Sequence, residues 1–366
     1  MDKFKELFLY KARECIWKRE NFWNWDFTSW LSYDVLTYGI AKLLYINDSL
    51  GINDEIMVHG WLDTTIKTLK FPEWFPSWIS ISLKSNFLYK DLTLDSCAFS
   101  LFSFNGDNIN IKTLRDDILF LLKNNKKYLP FYEAITRWNH FVTLWKNDSW
   151  TIYWIIHCDL WKDIFLNNPS YNYESIVSPF WILKYWKNQL FEKYIIDSNN
   201  RKNQLVDLHK LWLNMFEELL GWWLCYINTI FHKWMFYEND NYNYAINVQL
   251  GHKWDLLPIC LDEQSPLLLV KILKNNVILP HWWWYAINDS EAQKQCKLRL
   301  NEHDNTIFFE TKKWKIDRDN IKSMPGYYRG AGNTEWKIII NKLMKQEWII
   351  INLVDTPLFT LNKMIL

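Results

Sequence analysis

The chain has 366 residues, a mass of 44.7 kDa and a formal net charge of +1. Hydrophobic residues make up 49% of it and charged residues 23%, ordinary globular usage that excludes a disordered tract, a collagen-like repeat or a coiled-coil rod. So small a net charge also excludes a surface coated evenly in positive charge, and leaves only a local basic patch as a means of holding nucleic acid.

In chain order, residues 1–20 set Phe4, Leu7, Phe8 and Ile16 at helical spacing between charges, predicting an amphipathic helix. Its interleaved acids fit neither a signal nor a transit peptide. A second helix is expected over 29–44, closing at the turn Asn47-Asp48-Ser49. Pro72 and Pro76 lack the donor a helix interior needs, so 71–76 reads as a loop. Over 79–111 the pattern changes to period two, and Asn105-Gly106 signals a tight hairpin in a small antiparallel sheet. Thr113 and Asp116 form a capping box ahead of a helix reaching Leu122, and Pro130 opens another reaching Trp145. Ser178-Pro179 is expected to start a helix to Ile196, and 203–237 to form one long helix or two joined at Gly221. Past Asn239 strand patterns return in YAINVQL, LLLVKIL and VILPHWWWYAI, and in KLRL paired with TIFFE. A helix or strand over 335–343 and the apolar tail WIIINLV follow. The fold class is α+β: N-terminal helices with a small sheet (1–112), a mostly helical middle (113–240) and an antiparallel β-rich part (241–366). The longest apolar run, 219–231, contains Asn228 and Thr229 and is a buried helix rather than a membrane span.

Twenty-five Trp, 22 Phe and 19 Tyr stand beside only 9 Gly and 8 Ala, with 35 Asn and 34 Lys against 8 Arg. Scarce Ala, Gly and Arg mark an AT-rich gene, in which Trp should also fall. A genetic code that reads UGA as Trp accounts for its rise. The gene tests this directly, since a near absence of in-frame UGA codons would refute it. Together with the opening segment, this indicates an organelle-encoded protein of the mitochondrial matrix side, or alternatively one from the cytoplasm of a low-GC bacterium. Each buried aromatic removes ~150–250 Å² from water, and so many exceed what one mid-sized core holds, which places some of them at protein contacts.

Zinc-protease, phosphate-loop, dinucleotide, hydrolase-elbow and kinase signatures are absent, so no cofactor is implied. The six cysteines, at 15, 97, 158, 225, 260 and 296, lack metal-ligand spacing and read as free thiols. His157-Cys158-Asp159 groups three titratable types, but neighbours along a strand face opposite ways, which favours a structural reading. Asp116/Asp117, Glu217/Glu218 and Asp262/Glu263 are carboxylate pairs of the sort acid/base hydrolysis uses, although adjacent acids on helices are usually solvated. In His281-Trp282-Trp283-Trp284-Tyr285 a strand would place Trp282 and Trp284 on one side as an aromatic contact.

Charge is polarised into 312–345, which holds nine basic residues against three acidic ones and a third of the glycines. Lys312, Lys313, Lys315, Arg318, Lys322, Arg329 and Lys337 supply charge, Gly330 and Gly332 a flexible turn, Asn333 and Thr334 a helix cap, and Tyr327 and Tyr328 stacking surfaces, the parts of a cradle for RNA phosphate or another anion. The expected function is a non-enzymatic subunit of a large organellar assembly, a mitochondrial ribosomal or other ribonucleoprotein component that contacts RNA and other subunits. The alternatives are a soluble accessory subunit of a respiratory complex, touching membrane proteins without a span of its own, and a saccharide or phosphate enzyme with a Trp-lined pocket.

Overall fold

The segment CAFSLFSFN at 97–105 is apolar or small at almost every position, the pattern of a strand buried on both faces. The computed structural model describes residues 3–17, 27–65, 75, 77–84, 87–92, 97–107, 109–136, 140–159, 172–220, 225–238, 240–246, 248–260, 267–280, 285–287, 296–300, 307–311, 315–316, 327–329, 341, 343–347, 349–354 and 356–362. Among them the helices are α1 (Lys3–Trp17), α2 (Phe27–Ser49), α3 (Ile111–Asn124), α4 (Leu129–Ile135) and α5 (Gln189–Leu220). The strands are β1 (Met57–Thr65), β2 (Ser77–Leu83), β3 (Phe87–Tyr89), β4 (Cys97–Asn105), β5 (Phe141–Lys146), β6 (Thr151–Asp159), β7 (Glu174–Ser178), β8 (Trp181–Lys187), β9 (Cys225–Glu238), β10 (Asn241–Ile246), β11 (Val248–Gly251), β12 (Leu256–Cys260), β13 (Leu267–Ile272), β14 (Val277–Pro280), β15 (Tyr285–Ile287), β16 (Cys296–Leu300), β17 (Ile307–Thr311), β18 (Lys315–Ile316), β19 (Tyr327–Arg329), β20 (Ile349–Val354) and β21 (Thr356–Asn362). The architecture is mixed α+β, with helices leading the chain and strands closing it.

An antiparallel sheet of order β1-β2-β10-β9-β4-β6-β5-β21 organises the molecule, drawing strands from all three thirds of the chain. β4 and β6 pair without a break from Cys97 opposite Asp159 to Asn105 opposite Thr151. Period two then divides the side chains between faces: Tyr244 and Ile246 enter a core built with α1, α2 and β8, whereas Ala245 enters a second core with β12, β13 and β14. A third core packs Phe102, Phe104, Trp154 and Ile156 against α3, α4 and α5. Helix α5, about 48 Å long at 1.5 Å per residue, contributes Phe191 and Tyr194 to the first core and Leu205, Trp212 and Phe216 to the third. Among the described residues no helix is long and apolar enough to cross a membrane.

The expected helices at 1–20 and 29–44 form as α1 and α2, and KLRL pairs with TIFFE as β16 and β17, Leu300 opposite Ile307. WIIINLV supplies β20. Other expectations fail. The helix from Pro130 ends at Ile135, and FVTLWK becomes β5. Ser178-Pro179 turns a hairpin between β7 and β8, its Ser178 hydroxyl accepting from the Phe180 N–H and donating to the Trp181 carbonyl, so the next helix starts only at Gln189. Beyond Leu220 the helical reading of 203–237 gives way to the fourteen-residue strand β9. These strands are apolar on both faces, and over a short stretch such runs have no period to tell them from a buried helix. The 79–111 stretch builds no separate small sheet, because β2 and β4 join the large one and β3 pairs with β8. Asn105-Gly106 makes no two-residue hairpin, since the chain passes from β4 into α3. Gly106 packs closely instead: a Cβ there would lie 2.4 Å from the Ile152 side chain, which would have to shift. The loop expected at 71–76 lies outside the described residues except for the buried Phe75, and the 335–343 element except for Asn341 and Leu343.

The α3 cap is also one turn earlier than the capping box implied. Asn110 Oδ1 accepts the N–H groups of Lys112 and Thr113, at 3.1 and 3.2 Å. Asn110→Ala is therefore expected to cost ~1 kcal/mol, the usual loss of an N-cap, and Thr113→Ala less than about 0.5 kcal/mol as an exposed change. Urea denaturation of the two variants decides which residue caps the helix.

Candidate functional site

Strand period places His157 and Cys158 on opposite faces of β6, as expected from their adjacency. Each finds partners distant in sequence. On one face Cys97 Sγ lies 3.3 Å from His157 Nε2, and the His140 and His157 rings meet edge to face at 5.5 Å. His140 Nδ1–H donates to the Ala134 carbonyl at 2.8 Å. On the other face α5 lowers His209 onto the sheet: its Nε2 is 3.1 Å from Cys158 Sγ, its Nδ1 2.6 Å from Ser100 Oγ, and Ser100 also bonds Thr229 Oγ1. Cys158, His209, Ser100 and Thr229 thus form a relay across α5, β6, β4 and β9.

A thiol, an imidazole and a hydroxyl in hydrogen-bond contact are the parts of a nucleophile with its base. Their electrostatics argue the other way. Cys158, His209 and Ser100 are all buried. Burial, with the nearby His140 adding a smaller effect, holds His209 down to a pKa of about 3. Forming a thiolate on Cys158 by proton transfer to His209 would create an imidazolium where charge is most expensive. A neutral imidazole has one N–H and one lone pair, and Cys158 and Ser100 between them satisfy both. The relay is a fully bonded polar insert in an apolar core. Among the described residues no three His, Cys, Asp or Glu side chains converge as metal ligands would, and Cys15, Cys97, Cys158, Cys225 and Cys260 are free thiols.

The carboxylate pairs are engaged elsewhere or solvated. Glu218 takes an ion pair from Lys127 and a 2.6 Å hydrogen bond from the Tyr128 hydroxyl, and the lysine contact above all draws its carboxyl below the usual range. Asp116 and Asp117 lie exposed on α3, and Asp262/Glu263 falls outside the described residues. Of the basic stretch, Lys315 sits in β18 opposite Glu310, and Tyr327, Tyr328 and Arg329 form β19 opposite Ile287, Ala286 and Tyr285. Lys312, Lys313, Arg318, Lys322, Gly330, Gly332, Asn333, Thr334 and Lys337 lie outside the described residues, as do Trp282 and Trp284.

The backbone reveals aromatic positions that the sequence did not mark. Of the six described non-glycine residues at positive φ, three are tryptophans: Trp150 (φ 60), Trp181 (φ 85) and Trp254 (φ 79). Trp150 and Trp181 stand beside the β5–β6 and β7–β8 hairpin turns and Trp254 in the turn between β11 and β12, with 48%, 46% and 62% of their surface exposed. Left-handed backbone is uncommon for a bulky residue, so the surrounding turn must hold it in place. At Trp150 the N–H donates to the Asn147 carbonyl, Asn147 Oδ1 accepts from Thr151 N–H, and Lys146 Nζ sits 3.3 Å from the ring centroid. The structure thus presents a sealed polar relay within an α+β protein and a set of fixed aromatic knuckles outside. No known protein family, curated protein or solved structure matches this chain.

The depressed His209 pKa has a definite sign. Unfolded, the ring takes a proton near pH 6.5; folded, it resists until about 3. Its contribution is fully present above pH 6.5 and is lost as pH falls toward 3, at about 1.4 kcal/mol per pH unit. His209→Gln is expected to flatten that part of the stability profile relative to the wild type in denaturant titrations between pH 7 and 4. The turn tryptophans are expected to behave unlike core ones. Trp150→Gly, Trp181→Gly and Trp254→Gly should each change stability by less than about 1 kcal/mol, because glycine relieves the left-handed backbone, whereas Trp212→Ala in the core should cost ~3–5 kcal/mol.

Proposed function

We propose that this chain is a non-enzymatic structural subunit of a large organellar ribonucleoprotein assembly, mitochondrial by its composition. It meets neighbouring subunits through exposed aromatics and RNA through the stretch 312–345. The observation that carries this reading is the contrast between inside and outside. The chemically capable side chains, Cys158, His209 and Ser100, are sealed and neutral, while large rings that a monomer gains little by exposing are fixed outward on turns. Aromatic anchors held rigid lose little entropy on association, which suits them to contact surfaces. The nine basic residues of 312–345, against three acidic ones, add a local positive charge to a near-neutral chain.

The respiratory accessory subunit remains the second reading, since exposed aromatics serve contact with membrane proteins equally well and need no basic patch. Sedimentation separates the two. A tagged chain from its native organelle is expected to run in a large particle that contains RNA and to be released by ribonuclease. A monomer would overturn the assembly reading, and an RNA-free membrane-bound particle would replace it with the respiratory one. Changing Lys315, Arg329 and Lys337 together to Ala is expected to weaken RNA binding and to lower the salt slope by about 2, from ~0.7 per phosphate contact on a single strand.

A further inference from the structure

Within that reading, the structure points to a second RNA contact outside the basic stretch, and it rests on RNA being the ligand. Between β11 and β12 the turn 252–255 carries Trp254, the most exposed of the turn tryptophans, at φ 79. The turn is tightly stapled. Trp254 N–H donates to the Ile272 carbonyl at 2.7 Å, Ile272 N–H returns a bond to the Asp255 carbonyl at 2.9 Å, and Asp255 N–H donates to the His252 carbonyl at 3.0 Å. The Asp255 carboxylate accepts the His252 N–H at 2.8 Å, and Asn275 on the neighbouring β13–β14 turn accepts the Lys253 N–H at 2.9 Å. The indole is therefore held outward by two interlocked turns.

Charge gathers round the ring. Lys253 and Lys271 each place Nζ 5.2 Å from the indole centroid, and Lys274 stands exposed on the adjoining turn. Asp255 is the one carboxylate within the two turns, and its oxygen is engaged by the backbone. We infer that Trp254 stacks on an unpaired RNA base while Lys253 and Lys271 swing from the ring to the flanking phosphates. Every base has a π-face, so one ring serves any sequence, and the two exposed lysines reach the backbone on either side of the stacked base. The polar surroundings, His252, Lys253, Asn275 and Asn276, favour RNA over a lipid surface, because no second exposed apolar side chain in these turns would enter a bilayer interface beside the indole.

The full-length chain is titrated with a labelled single-stranded twelve-residue oligouridine, and with the same length of duplex RNA, over a salt series. Trp254→Gly, which relaxes the turn while removing the ring, is expected to weaken single-strand binding about 5- to 150-fold, the 1–3 kcal/mol of one stacked base. Trp254→Phe should restore most of it. Lys253→Ala with Lys271→Ala should lower the salt slope by about 1.4, two phosphates at ~0.7 each. Wild-type affinity in Trp254→Gly, with binding lost in the Lys315/Arg329/Lys337 variant, would overturn the Trp254 contact and leave the RNA reading standing. Failure of the wild type to bind either RNA would overturn both. Trp254-dependent binding of polyglutamate or of phosphatidylserine vesicles in place of RNA would assign the knuckle to an acidic protein or a membrane.

Discussion

The central strands β4, β6 and β5 are covered on both faces, and that double burial constrains everything around them. A strand with one solvated face can place a polar residue at every second position. A strand with none must make each side chain apolar or supply it with a partner. Aliphatic and aromatic side chains together fill most positions, the aromatics covering the most area apiece. Among the polar exceptions Ser100 and His157 are bonded to partners lent by α5 and β4, His209 and Cys97, and Ser100 also to Thr229 of β9. The relay is better understood as a solution to burial than as a site that burial happens to cover. A hydrogen-bonded insert of this kind costs little when complete and a great deal when one member is removed.

The same double burial explains what could be read from the sequence. Helices α1 and α2, the β16–β17 pair and the overall class were legible because charged or polar residues broke the chain at the right intervals. β5, β8 and β9 were not, because FVTLWK, WILKYWK and CYINTIFHKWMFYE carry apolar residues on both faces and lack a period. The relay was half visible. His157-Cys158 stood out as neighbours, and the opposite facing of strand neighbours was foreseen, but Ser100, His209 and Thr229 lie 51 to 129 residues from their partners, and nothing local announces them. The turn tryptophans were hidden more completely, since a positive φ leaves no mark on composition or spacing.

Those tryptophans also join two facts that composition kept apart. Glycine is the residue for which a left-handed turn is free, and the chain has 9 of them against 25 Trp. On Trp150, Trp181 and Trp254 the ring projects into solvent, so a bulky residue at a glycine-like position meets strain but no collision. Three of the nine exposed aromatics among the described residues thus stand where the backbone would have tolerated the smallest residue. A contact anchor placed there is rigid from the moment the turn closes.

One strand pairing governs when the sheet can close at all. β5 spans 141–146, and its outer neighbour is β21, residues 356–362 at the very end of the described chain. While the chain is being made, the edge of β5 stays unpaired until more than two hundred further residues have been added, roughly 10–40 s at ordinary elongation rates. FVTLWK is an apolar strand with a free row of backbone donors and acceptors, the kind of edge on which other chains add themselves. Until residues 356–362 have been added, the β5 edge is open to such additions.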